Sequence, residues 1–276
     1  MKALRQSVSP FLKWAGGKRQ LLPEIYPRIP IIKGRYIEPF MGAAAVFFSV
    51  APKISWLNDI NDELVNCFCV VRDEVDELLK RLSNYYYDKD FYYEIRKLDR
   101  QEGGLLKLDP IERAARFIFL NRTGFNGLYR VNLKGHFNVP FGRYKNPEIA
   151  NSGRLKACHD TLQNSKITQF HFRDVLSQVR QDDFVYLDPP YHPVSPTSNF
   201  TNYDKIGFGR DEQSELAEFL HYFNKKNISF LASNASHPLI YELYEGLSIT
   251  EIPARRSINS KSEGRVSIPE LLISNL

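Results

Sequence analysis

Residues 184–191 read Phe184-Val185-Tyr186-Leu187-Asp188-Pro189-Pro190-Tyr191: four apolar positions, then a carboxylate, two prolines and an aromatic ring. A continuous apolar run of that length suits a strand buried on both faces, as parallel sheets contain. Proline has no N–H to give to a ladder, so the strand stops at Asp188. Asp188 is thereby set at the carboxyl end of a strand, where open α/β sheets present ligand-handling groups. The turn offers acceptors only, a carboxylate and carbonyls, with the flat ring of Tyr191 at its rim. Acceptors beside a stacking surface suit a planar group carrying an amino substituent, such as adenine. The plainer reading is a strand closing in a Pro-Pro turn with a solvated Asp.

The rest of the chain is read around that strand. Tyr36-Ile37-Glu38-Pro39-Phe40 predicts a strand, Met41-Gly42-Ala43-Ala44-Ala45 leads into a helical run through Phe48, and 54–59 predicts a second strand ending in Asp59. Leu64, Phe68, Val71, Val75, Leu78, Leu79 and Leu82 keep helical spacing over 61–82. This β-α-β-α order predicts a doubly wound sheet. The rhythm then breaks: 85–108 predicts helix, a second helix starts at Asp109 or Pro110 and ends near Arg122, and loop-like residues run through Pro147. It resumes with strands at 167–172 and 184–188, helix 211–224, strand 228–232, and strands near 247–252 and 270–275. The expected architecture is an α/β doubly wound mixed sheet formed by 1–83 and 161–276, with a mainly helical insertion at 84–160.

Composition narrows the class. Of 276 residues, 43% are hydrophobic, and 37 Lys and Arg stand against 32 Asp and Glu, a formal charge of +5. Cys67, Cys69 and Cys158 form no Cys-x-x-Cys pair, so neither zinc spacing nor a disulfide framework is expected. The six histidines show no metal-binding spacing and read as surface or capping residues. No apolar stretch approaches the roughly 20 residues that span a bilayer. Met1–Pro10 has no apolar signal core, so a cytoplasmic protein with reduced thiols is expected.

Three strand ends carry candidate chemistry. Glu38-Pro39-Phe40-Met41-Gly42 occupies the strand–turn–helix position at which nucleotide-like cofactors meet such sheets, and small residues admit a close ligand. Tight packing is the alternative. Asp59 has the placement used to hold ribose hydroxyls, or it caps the helix beginning near Ile60. Asp188 is the third.

From Arg113 to Pro147 there are seven basic residues (Arg113, Arg116, Arg122, Arg130, Lys134, Arg143, Lys145) and no acid, with Phe125, Tyr129, Phe137, Phe141, Tyr144 and Asn121, Asn126, Asn132, Asn138 interleaved. Arginine reads guanine edges, asparagine reads adenine edges, and aromatics wedge between bases, so the stretch reads as a nucleic-acid contact surface. A solvated basic face is the alternative. Arg255, Arg256, Lys261 and Arg265 form a second basic stretch, open to phosphate contact or to plain solvation.

Phe11-Leu12-Lys13-Trp14-Ala15-Gly16-Gly17-Lys18, Glu38-Pro39-Phe40-Met41-Gly42, Asn126-Gly127-Leu128-Tyr129-Arg130, Phe137-Asn138-Val139-Pro140-Phe141-Gly142-Arg143-Tyr144 and Asp188-Pro189-Pro190-Tyr191 occur together and in order. In this the chain resembles the Dam-type DNA adenine-N6 methyltransferases, including the GATC methylases of restriction systems, from about Pro10 to its carboxyl end. The resemblance implies a class I, Rossmann-like methyltransferase domain with an inserted recognition module, and a monomer acting on double-stranded DNA. It implies S-adenosylmethionine as cofactor, contacted by Trp14, Lys18 and the Glu38, Phe40, Gly42 turn, with Asp59 on its ribose and Asp188 near its adenosyl end. Asp188, Pro189 and Tyr191 would form the catalytic turn. Phe125 and Asn126 would lie near an extruded adenine. Leu128, Arg130 and Pro140 would read GATC, Lys13 would address the first base pair, and Arg143 and Tyr144 would join the DNA surface. One departure stands out: the family's Phe-x-Gly-x-Gly is Phe40-Met41-Gly42-Ala43-Ala44 here, so a methyl stands where the pattern has none. Methyltransferases of protein glutamine or RNA share the strand–turn layout, often with Asn for the first Asp. Asp188 and the basic insertion favour DNA. Intact Asp188, Tyr191, Asp59 and Lys18 disfavour a DNA-binding protein without catalysis.

Overall fold

Strand β4 (Phe184–Leu187) is buried at every position and runs parallel to a strand on either side, as its unbroken apolar run requires. The computed structural model describes residues 8–191, 208–253 and 269–276. These described residues fall into two compact units, one within 1–17, 42–51 and 59–169, the other within 18–41, 52–58 and 170–276. This division by compactness has different boundaries from the division by role expected from the sequence, which set 84–160 apart.

The second unit holds the main sheet. β2 (Ser55–Asn58), β1 (Tyr36–Glu38), β4 and β5 (Ser229–Ala235) lie parallel in that order. β7 (Glu270–Ser274) then pairs antiparallel with β5, and β6 (Ser248–Ile252) pairs antiparallel with β7. The sheet is thus mixed, the α/β arrangement expected. Alternate residues of each strand point one way: Ile37, Trp56, Val185, Leu187, Phe230, Ala232, Leu271 and Ile273 share one core cluster. Helices α8 (Phe172–Leu176), α9 (Arg210–Lys225) and α10 (Pro238–Leu243) close over it with Phe172, Leu216, Leu220, Phe223 and Ile240. Each such side chain contributes about 1.5–3 kcal/mol on burial. The short helix α1 (Leu22–Ile25) precedes β1. His171 and His237 accept the first-turn N–H groups of α8 and α10, the capping role expected of histidines here.

The first unit is mostly helical: α2 (Ala45–Val50), α3 (Asp62–Asp73), α4 (Val75–Leu82), α5 (Lys89–Lys97), α6 (Pro110–Thr123) and α7 (Ser152–Leu162), with strand β3 (Ser165–Thr168). Two expectations are corrected. The helix read over 61–82 breaks at Glu74 (φ −135°, ψ 36°), because Val71, Val75 and Leu78 keep an apolar stripe running across a break that periodicity cannot register. The helix read over 85–108 is α5 followed by two short 3₁₀ turns. Gly103 and Gly104 both take positive φ and interrupt it. Asp109 caps α6 by accepting the Glu112 N–H at 2.9 Å, with Pro110 in the first turn.

Ala44, the departure from the family pattern, stands immediately before α2 in the left-handed region (φ 53°, ψ 40°) and is buried. The glycine-type backbone is therefore kept with a methyl on it. We expect Ala44→Gly to change unfolding free energy by less than ~1 kcal/mol, because relief of about 1–2 kcal/mol of left-handed strain is offset by lost methyl burial and added chain entropy. Ala44→Val should destabilise by about 3 kcal/mol or more through strain plus overpacking. Urea denaturation of the two variants measures both.

Candidate active site

Beyond Leu187 the prolines turn the chain, and Asp188 retains 21% side-chain exposure while Lys18 retains 5%. The Lys18 ammonium, from the 3₁₀ turn Lys18–Gln20, stands 2.7 Å from Asp188 Oδ1 and 3.8 Å from Glu270 Oε2. The Tyr191 hydroxyl donates to that same Glu270 oxygen at 2.7 Å, and Lys18 Nζ lies 4.8 Å from the centre of the Tyr191 ring. Burial pushes the Asp188 carboxyl up; the Lys18 ammonium opposes this and the Glu270 charge adds to it. Burial, with the Asp188 and Glu270 charges, holds the Tyr191 phenol well above its ordinary value, so it serves as a neutral donor.

Three further groups brace this sheet edge. Gln213, fully buried on α9, donates Nε2 to the Pro190 carbonyl at 3.0 Å and accepts from Asn234 Nδ2 at 3.0 Å. Asn234 Oδ1 in turn accepts the Ala235 N–H. Asn58, at the end of β2, donates to the Pro39 carbonyl and accepts the Phe170 N–H, which pins the turn after β1. Glu38 is buried and accepts the Tyr36 hydroxyl at 2.7 Å, and the half-buried Phe40 ring meets Phe172 and Phe208. Glu270, Gln213, Asn234 and Asn58 were not singled out from the sequence. Glu270 gave one faint signal, an acid opening an apolar strand; the others look like ordinary strand and helix residues.

The first unit carries a different constellation. Asp59 does not cap α3. Asn61 does, accepting the Leu64 N–H at 3.0 Å, because the chain needs two more residues after β2 before its helix begins. Asp59 is instead oriented by two backbone donors: Gly42 N–H to Oδ2 at 3.0 Å and Asn61 N–H to Oδ1 at 3.1 Å. Gly42 takes φ +47°, and a Cβ there would fall 2.8 Å from Trp14 Cδ1 and 2.9 Å from Nε1. The Trp14 indole thus packs directly on the glycine backbone, with Tyr129 stacked 5.9 Å away. The close approach at Gly42 is therefore filled by the indole and the Gly42 N–H is taken by Asp59, while the fixed Asp59 carboxylate is an acceptor of the kind that suits ribose hydroxyls.

Residues 124–142 of the same unit fold back as an antiparallel hairpin. Gly124 pairs with Phe141 and Val131 with Phe137, and the Asn138 N–H donates to the Arg130 carbonyl. Its tip turns on Asn132, whose side chain accepts the Lys134 and His136 N–H groups, and Leu133 there is 98% exposed. Phe125, Asn126, Arg130, Pro140 and Arg143 are exposed, and Leu128 and Tyr144 are half-buried. Asn126 has φ +55°. Arg130 Nε donates to Asn138 Oδ1 at 2.6 Å, and the Lys13 ammonium lies 4.4 Å from the Tyr144 ring centre.

A family model described as D12 class N6 adenine-specific DNA methyltransferase matches residues 14–258. The chain is 40% identical to the type II methyltransferase M1.LlaDCHI of Lactococcus lactis subsp. cremoris over 98% of its length and 96% of that protein. It is 42% identical to the type II methyltransferase M.MjaIII of Methanocaldococcus jannaschii, covering 97% of this chain and 99% of that one. It is 36% identical to the DNA adenine methylase of Escherichia coli K12, covering 95% and 93%. The chain belongs to the D12 class of N6 adenine-specific DNA methyltransferases.

In this adenine methyltransferase three of the seven basic residues of 113–147 are held in ion pairs. Arg113 pairs with Glu63, buried Arg116 with Asp99 at 3.0 Å, and Arg122 with Glu148 at 3.5 Å. The neutralising acids come from outside the window that appeared acid-free. Asn121 is buried and stitches the Lys13 backbone to the Gly127 carbonyl, and Phe137 is core. Neither is presented to a nucleic acid. Arg130, Lys134, Arg143 and Lys145 are the exposed basic side chains of the stretch. Arg255, Arg256, Lys261 and Arg265 lie outside the described residues. Among the described residues no group of His, Cys, Asp and Glu has metal-holding geometry, and no helix is long and apolar enough to cross a membrane.

The methyltransferase should lose activity on acidification as Asp188 takes a proton. Its raised carboxyl value means the ionised form appears only as pH rises through that value, so the acid limb of single-turnover transfer should lie above the ~3.9 of a free Asp. Lys18→Met removes the opposing cation and should move the limb higher still.

Proposed function

We propose that this methyltransferase transfers a methyl group from S-adenosylmethionine to the adenine N6 of GATC in duplex DNA, with the target base turned out of the helix. The observation that carries this reading is the acceptor turn Asp188-Pro189-Pro190 beside the anchored ring of Tyr191. The adenine amino nitrogen is a poor nucleophile because its lone pair is delocalised into the ring. Hydrogen bonds from the amino group to the Asp188 carboxylate and the Pro189 carbonyl localise that lone pair. When bound, S-adenosylmethionine supplies a methyl group on a sulfonium, which leaves without further activation. Trp14, Gly42 and Asp59 would hold its nucleoside, and Lys18 and the Glu38–Phe40 turn would contact it. Proximity then carries much of the rate. Asp188 can hold the proton that leaves the methylated amino group.

A paired adenine presents its amino group inside the stack, so the base is extruded at a cost of a few kcal/mol. Stacking on Tyr191 offsets part of that cost, and the family resemblance assigns Phe125 and Asn126 to the extruded adenine. Residues 84–160 serve as the recognition module: Leu128, Arg130 and Pro140 read base edges, Lys13 addresses the first pair, and Arg143 and Tyr144 complete the DNA surface. The exposed guanidinium of Arg130 suits the bidentate pattern of guanine. The protein works as a cytoplasmic monomer on this reading.

Labelled-methyl transfer to two duplexes that differ only in GATC against GTTC tests the reaction and the site together. Transfer confined to GATC is expected; equal transfer to both would discard the sequence preference. Arg130→Ala should relax discrimination at one guanine by about 1–3 kcal/mol, whereas Lys134→Ala should weaken all duplexes alike. Tyr191→Phe should be milder than Tyr191→Ala, and equal losses would remove stacking from the account.

A further inference from the structure

Glu270 lies far from the catalytic turn in sequence, yet its Oε2 accepts the Tyr191 hydroxyl at 2.7 Å and stands 3.8 Å from Lys18 Nζ. It is held on an inner strand, in register with Ala235 of β5 on one side and Ile252 of β6 on the other. A carboxylate fixed by two ladders is a rigid post, and Tyr191, which follows a turn, is the group with rotational freedom to lose. Lys18 adds a second restraint from above, its ammonium 4.8 Å from the ring centre while bonded at 2.7 Å to Asp188. The lysine leans toward Asp188, so the stronger contact of Glu270 is with the phenol.

We propose that Glu270 is a positioning residue for methyl transfer: through the Tyr191 hydroxyl it holds the ring at the angle from which it stacks on the target adenine beside Asp188. The inference rests on the catalytic reading of Asp188 and Tyr191 above. It accounts for a tyrosine at 191, since phenylalanine offers the same stacking face with no anchor. It also accounts for an acid at the start of β7, where an apolar residue would satisfy the strand.

Single-turnover transfer to a GATC duplex, with KM for DNA and methyl donor measured alongside, tests this in Glu270→Ala, Glu270→Gln, Tyr191→Phe and the double variant Glu270→Ala/Tyr191→Phe. Glu270→Ala should slow transfer at least ~10-fold with both KM values within about 3-fold, the signature of lost positioning. Glutamine keeps a carbonyl acceptor for the phenol, so Glu270→Gln should return to within about 3-fold of wild type. The double variant should be no slower than the slower single, since both remove one bond. A Glu270→Gln enzyme as slow as Glu270→Ala, additive losses in the double variant, or an unimpaired Glu270→Ala enzyme would each overturn the inference. Asp188→Ala separates the two levels: its inactivity beside an unimpaired Glu270→Ala leaves the catalytic reading standing and removes Glu270, whereas an active Asp188→Ala removes both.

Discussion

An ammonium with 5% of its side chain exposed is held 2.7 Å from one carboxylate and 3.8 Å from another, and the tyrosine beneath it is bonded to the second. A charge this enclosed is tolerated only while its partners are in place, and the same holds for the carboxylates facing it. Lys18, Asp188, Tyr191 and Glu270 thus constrain one another: each removes a cost that the others would otherwise incur. Burial pushes the Asp188 carboxyl up and the Lys18 ammonium opposes that push, while the Tyr191 phenol is held well above its ordinary value and donates to Glu270.

What brings the four together is the order of strands. β4 and β5 run parallel, so their carboxyl ends share an edge of the sheet; β7 runs back against β5, so its first residue arrives at that same edge. Glu270 is consequently opposite Ala235 and in reach of Tyr191. The buried amides of Gln213 and Asn234 use the same edge to hold the Pro190 carbonyl, and Asn58 does comparable work at the turn after β1. Buried polar chains of this kind cost stability unless every member is satisfied, and satisfied they impose one geometry on the turn.

The basic stretch 113–147 shows where local reading misleads. Seven basic residues without a neighbouring acid look like a continuous contact surface, yet Arg113, Arg116 and Arg122 are consumed by Glu63, Asp99 and Glu148. A charge count over a window registers only the acids inside it, whereas an ion pair needs proximity in space. Asn121 misleads in the same way: its amide serves two backbone segments, Lys13 and Gly127. The residues left outward are Arg130, Lys134, Arg143 and Lys145 with Phe125 and Asn126.

The sequence by itself determined the elements whose causes are local. The apolar run 184–187 and its prolines specify a buried strand and its end, and Asp109-Pro110 specifies where α6 begins; Gly42 reads as room for a ligand or as tight packing, and the structure fills it with Trp14. The joint motifs specified the family for the same reason, since they are runs of neighbouring residues. Only the tertiary structure decided that Asp59 is turned toward Gly42 while Asn61 caps the helix, that the 61–82 helix breaks at Glu74, and that Glu270 anchors Tyr191. Each of those depends on which strands and helices become neighbours, and that pairing is set by burial of the whole sheet. No window of consecutive residues contains it.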